Sequence, residues 1–106
     1  MAPDLLGRLY SEALVKKFVA MFLSDKSFQL LEDSMKSQNY EEAFRAAHTV
    51  KGMCQNLSFT TLEKSSSALT EALRGGKSPQ AEELYAKTME DYDRTLEAIR
   101  AYQAGL

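Results

Sequence analysis

Hydrophobic residues along this chain recur at spacings of three and four, and no stretch alternates apolar and polar positions as a half-buried strand would. Leu14, Phe18 and Phe22 form one helical stripe behind Ser11, a suitable cap for a helix reaching about Leu23. Ser24-Asp25 interrupts the pattern and offers a cap for a second helix, to about Lys36, carrying Phe28, Leu31 and Met35. Asn39 caps a third, in which Ala43, Ala47, Val50, Cys54 and Leu57 repeat at alternating steps of four and three, as a bundle seam does. After a break at Ser58, the residues Phe59, Leu62, Ser66, Leu69 and Leu73 keep the same alternation up to Gly75-Gly76, where glycine accepts the left-handed conformation that ends helices. Ser78-Pro79 opens the last helix, with serine as N-cap and proline at the first helical position. Its stripe is Tyr85, Met89, Tyr92, Leu96 and Ile99, running to about Tyr102, a length of about 35 Å at 1.5 Å per residue. Short connections make successive helices antiparallel neighbours. The fold predicted is therefore all-α: an up-down antiparallel four-helix bundle with a short or kinked N-terminal helical element.

The totals narrow the chemistry. With 106 residues, 44% hydrophobic and 26% charged, the chain suits one folded domain spanning 1–106. A net charge of −2 disfavours nucleic acid as a partner. Cys54 stands alone, which removes disulfide frameworks and thiolate metal sites, and a single histidine removes centres that need several imidazoles. No metal site is expected. No apolar run approaches the roughly 20 residues that cross a bilayer. The N-terminal apolar stretch is broken by Lys16-Lys17 and preceded by Asp4, a poor signal peptide. A cytoplasmic protein with no membrane partner is the expectation.

The third helix is where chemistry can sit. At about 100° per residue, His48 lies roughly 140° from the centre of the Ala43–Leu57 stripe, in an outer sector shared with Glu41, Lys51, Gly52 and Gln55, with Phe44 at its edge. An exposed helical histidine is usually ordinary surface. Two neighbours change that. Gly52, inside a helix, costs about 1 kcal/mol relative to alanine, which suggests that something must approach closely there. Lys51, one turn from His48, sets an ammonium beside the imidazole, as an incoming anion would require. By pattern, Met53 and Cys54 belong to the core, Arg45 and Lys64 to the solvated surface, and Ser65-Ser66-Ser67 to a close helix contact.

At these residues the sequence resembles a known family. Ala47-His48-Thr49-Val50-Lys51-Gly52 is similar to the histidine phosphotransfer signature, in which a small residue precedes the histidine and lysine-glycine follows at three and four positions. Phe22-Leu23 before an acidic turn, Asn39-Tyr40, Leu57 and Leu62 extend the likeness over about 10–103. The resemblance implies that His48 accepts a phosphoryl group through Nε2, that Lys51 steadies it, and that Gly52 leaves room for a receiver domain, with Phe44 and Arg45 in the docking surface. Two positions depart from the pattern: Ser58 stands where relatives carry glycine, and Thr70 where they often carry a Glu or Gln that holds the imidazole. Folding the hairpin about Ser58-Phe59 sets position 70 opposite 48, each about eleven residues from the turn. Thr70 and Gln55 are the two candidates for orienting the ring.

The implied partners are a response-regulator receiver domain, a sensor histidine kinase, or both. The nucleophile must be a neutral imidazole, the form that prevails above about pH 6.5 for the side chain in water. No acidic cluster or nucleotide-binding loop is evident, so no cofactor is expected on this chain; Mg²⁺ and most of the catalysis are expected from the receiver. The chain reads as a phospho-carrier rather than an enzyme, and as a monomer. The rival readings are a receiver-docking adaptor that transfers no phosphate and the phospho-accepting domain of a chemotaxis-type histidine kinase.

Overall fold

The computed structural model of the chain describes residues 12–57, 59–76 and 78–105, in which every regular element is helical. These are α1 (Glu12–Ser24), α2 (Ser27–Lys36), α3 (Tyr40–Leu57), α4 (Thr60–Leu73) and α5 (Ala81–Ala104). Ser11 and Ser58, expected as a cap and a break, lie outside the described residues, as do the side chains of Leu14 and Leu57. α3 packs between α2 and α4, and α4 packs on α5. The all-α bundle is thus the one the apolar spacing predicts, and α1 is its short N-terminal element.

The core falls into two clusters along the bundle. One joins Val19 and Phe22 of α1 to Phe28, Val50, Cys54, Phe59, Leu62 and Ile99; the other joins Leu31 and Met35 to Ala43, Ala46, Ala47, Leu69, Leu73 and Ala81. Phe22 meets Phe28 and Phe59 edge to face, with ring centroids 5.5 and 5.1 Å apart, and Phe28 stacks on Tyr92 at 3.7 Å. Such pairs add about 0.5–1.5 kcal/mol beyond their burial, so α1 is held by aromatic packing at one end of the bundle. Cys54 is buried in the same cluster, and burial pushes its thiol up to about 12, with Glu63 adding to the shift. At that value it is a small apolar side chain, unsuited to nucleophilic chemistry at neutral pH.

Of the three predicted caps among the described residues, two bond helix-start amides. Asp25 Oδ1 accepts the Ser27 N–H at 2.7 Å between α1 and α2, and Asn39 Oδ1 accepts the Glu42 N–H at 3.3 Å at the start of α3. The third start differs. α5 begins at Ala81, and Ser78 turns onto Gln80 through its hydroxyl, so Pro79 precedes the helix instead of opening it. A serine–proline pair suits such a turn as well as a helix start.

The α2–α3 turn carries a cost. The Asn39 N–H donates to the Ser34 carbonyl at 2.8 Å and the Gln38 N–H to that of Met35 at 3.2 Å, the bonding of a helix terminus that usually has glycine in the left-handed position. Gln38 holds it instead, with φ of 60°. A side chain in that region costs about 1 kcal/mol, so Gln38→Gly is expected to raise stability by about 0.5–1 kcal/mol and Tm by a few degrees. A lower Tm on thermal unfolding would contradict this reading of the turn.

α5 departs from its predicted face. Its fully buried residues are Ala81, Thr88, Asp91 and Ile99, while Tyr85, Met89, Tyr92 and Leu96 of the expected stripe are only half-buried. Small and polar side chains are buried on α4 as well, where Ser65, Ser66 and Thr70 lie inside. Each hydroxyl donates to a carbonyl of its own helix: Ser66 to Leu62 at 2.7 Å, Thr70 to Ser66 at 2.7 Å and Thr88 to Leu84 at 2.8 Å. Small buried side chains let packed helices approach closely, and the bulky rings of α5 are half-exposed.

Candidate functional site

α3 buries Ala43, Ala46, Ala47, Val50 and Cys54, a wide arc that leaves Arg45, His48 and Thr49 exposed on the outer face. Its alanines present little bulk, which suits a helix lodged between two neighbours. His48 stands on an open groove lined by Phe44, Arg45, His48, Thr49 and Arg74. The Phe44 and His48 rings are tilted at 46° with centroids 6.3 Å apart, and the Arg74 guanidinium lies over the other ring, 5.2 Å from the Phe44 centroid. Phe44 packs against the core cluster below and lines the groove above.

The charges around the imidazole are unevenly engaged. Arg45, on the groove wall, pairs at 3.6 Å with both Glu41 and Glu42 of its own helix. Arg74 is gripped more tightly: its Nε and Nη2 donate to Glu71 Oε1 and Oε2 at 3.1 and 2.8 Å. Lys51, half-buried one turn along α3 from His48, makes no salt bridge among the described residues. The Arg74 fork holds the Glu71 carboxyl below the usual carboxylate range, and the nearby Lys51 and His48 push it the same way. Glu71 thus lies within the field of the whole cluster.

Neither expected ring partner reaches the imidazole. Thr70 is fully buried with its hydroxyl given to Ser66, and Gln55 points to solvent. Among the described residues the His48 side chain makes no hydrogen bond. Thr70 points inward, away from the exposed face that carries His48.

Gly52 is half-buried, and a Cβ built on it would meet nothing within 4 Å. No neighbour among the described residues requires a glycine there. Arg74 and Glu71 were not singled out from the sequence. One signal was available: the Gly75-Gly76 stop places position 74 at the very end of α4, where the chain leaves the helix beside the histidine's level. Arg74 has extended backbone there, with φ −64° and ψ 120°.

Among the described residues no three His, Cys, Asp or Glu side chains converge as metal ligands, and no helix is long and apolar enough to cross a membrane. A family model described as the Hpt domain matches residues 14–102. No curated protein and no solved structure matches the chain significantly.

Proposed function

The chain belongs to the Hpt domain family, whose members carry phosphoryl groups on histidine in two-component phosphorelays, and from that premise we propose that His48 is its phospho-accepting residue. The carrying observation is that the one histidine of the sequence stands exposed on the outer face of α3, in a groove with cationic walls. In the proposed step the Nε2 lone pair of a neutral imidazole attacks the phosphorus of a receiver's aspartyl phosphate. The P–N bond forms as the acyl P–O bond breaks, and that electron pair stays with the aspartate carboxylate. The product ring carries its remaining proton on Nδ1, and the reverse step passes the phosphoryl group to the next receiver.

Such transfers need alignment and charge stabilisation more than covalent help. Lys51 is assigned to the phosphoryl oxygens, and Phe44, Arg45 and Gly52 to the docking surface. The partners are a response-regulator receiver, a sensor histidine kinase or both, and the receiver supplies Mg²⁺. The domain acts as a cytoplasmic, monomeric carrier, with catalysis coming mainly from its partner.

The test is to incubate the protein with a competent receiver, Mg²⁺ and acetyl phosphate. Acid-labile, base-stable label on the wild type that is absent from His48→Gln is expected. An unlabelled wild type would favour the inert docking adaptor, a reading to which the unpartnered imidazole gives some support. Lys51→Ala is expected to slow transfer by about tenfold with Tm within a degree or two, because a half-buried lysine without an ion pair contributes little stability. Equal transfer rates would remove the role assigned to the lysine.

A further inference from the structure

The Glu71–Arg74 fork sits at the end of α4, facing the histidine's helix across the groove. Arg74 lines that groove, covers the Phe44 ring that flanks His48, and spends one edge of its guanidinium on both oxygens of Glu71. Bidentate pairing with a carboxylate matches, atom for atom, what a guanidinium does with two phosphoryl oxygens. Resting on the carrier reading above, we infer that Glu71 stands in for the phosphoryl group, occupying Arg74 while His48 is bare and yielding the guanidinium once Nε2 is phosphorylated.

The exchange is favourable in charge. A phosphoryl group carries about −1.5 to −2 at neutral pH against −1 for the carboxylate, with three strong acceptor oxygens. Both fork side chains are 59% exposed, so water screens their mutual attraction and they part cheaply. The shift of the Glu71 carboxyl caused by Lys51 and His48, beyond Arg74, places its charge in the same field that the phosphoryl group would enter. Once displaced, Glu71 still competes for the guanidinium. It thereby keeps phospho-His48 from being held too firmly and favours onward transfer. Glu71 is accordingly a positioning residue, acting through Arg74.

Two measurements decide this. In the first, the full chain is phosphorylated with phosphoramidate, which needs no receiver, and the Arg74 Nε–H resonance is followed by NMR. Movement of that resonance on phosphorylation is expected; an unmoved signal overturns the proposal. In the second, the equilibrium partition of label between a receiver and the protein is compared for wild type, Glu71→Gln, Arg74→Ala and the double variant. Glu71→Gln is expected to shift the partition toward His48 by about three- to tenfold, and the shift should vanish in the Arg74→Ala background. No shift, or the same shift without Arg74, overturns the exchange. A wild type that takes no label from a competent receiver would refute the carrier reading alone, because the resonance measurement still decides whether Arg74 answers to a phosphoryl group.

Discussion

Gly52→Phe is expected to reduce receiver-dependent labelling of His48 by at least about thirtyfold, while Gly52→Ala raises the stability of the fold. The two effects have opposite origins. Inside α3 the glycine costs about 1 kcal/mol relative to alanine, because its backbone has more freedom to lose. An added Cβ would meet nothing within 4 Å, so alanine should recover that stability and raise Tm by about 4–8 °C. On the carrier proposal, that open space is room for the partner. A phenyl ring one turn from His48 would stand proud of the surface a receiver must approach, and the loss of a well-packed contact near the centre of an interface costs about 2–4 kcal/mol. Thermal melts and single-turnover transfer measured on the same samples separate stability from docking. Transfer by Gly52→Phe at the wild-type rate would show that no partner comes close to this position.

Lys87→Met is expected to destabilise the protein by about 2 kcal/mol, a large effect for a side chain that is 49% exposed. The reason is Asp91, whose side chain is 1% exposed in the α5 seam. Its Oδ1 accepts from Lys87 Nζ at 2.7 Å, and its Oδ2 has no hydrogen-bond partner. The buried hydroxyls of Ser66, Thr70 and Thr88 are already given to helix carbonyls. Removing the ammonium leaves a desolvated carboxylate with no donor. For a wholly buried pair the loss is about 3–5 kcal/mol; access of water to the lysine reduces it here. Neutralising the acid in the same background, Lys87→Met with Asp91→Asn, should restore most of the stability. Urea unfolding of the four proteins of this cycle gives the coupling directly. A single Lys87→Met variant within about 0.5 kcal/mol of wild type would mean that the carboxylate does not depend on its lysine.

Asp91 also shows where the sequence stopped being legible. The seams of α3 and α4 could be read because apolar residues repeat there at four and three, and Ala43, Ala47, Val50, Cys54, Leu62, Leu69 and Leu73 are all buried as that spacing requires. The centre of the α5 seam is a threonine and an aspartate, residue types that read as solvated surface unless a partner helix is known to approach closely. Bulky Tyr85 and Tyr92 drew the predicted face toward themselves, although both stand half-exposed beside the contact.

The site divides in the same way. Exposure of His48 follows from its angle to the Ala43–Cys54 stripe, whereas Lys51 and Gly52, set in the same outer sector by helical spacing, are half-buried. Cross-helix relations were harder to read. Counting from the hairpin turn addresses height alone, and whether Thr70, Glu71 or Arg74 faces the groove depends on the rotation of α4 about its axis. Helix rotation is set by packing, and here Thr70 lies buried while Glu71 and Arg74 stand outside. The fork between those two side chains has no signature in the sequence beyond an ordinary three-residue spacing of acid and base.

The most direct measurement is the site and number of phosphoryl groups after the protein is charged by a phosphorylated receiver. Intact mass and phosphorus NMR at alkaline pH, where phosphohistidine survives, should find one group per chain, bonded to Nε2 of His48. Label on any other side chain, or a chain that stays unmodified while its receiver is fully charged, would contradict the assignment of that imidazole as the carrier.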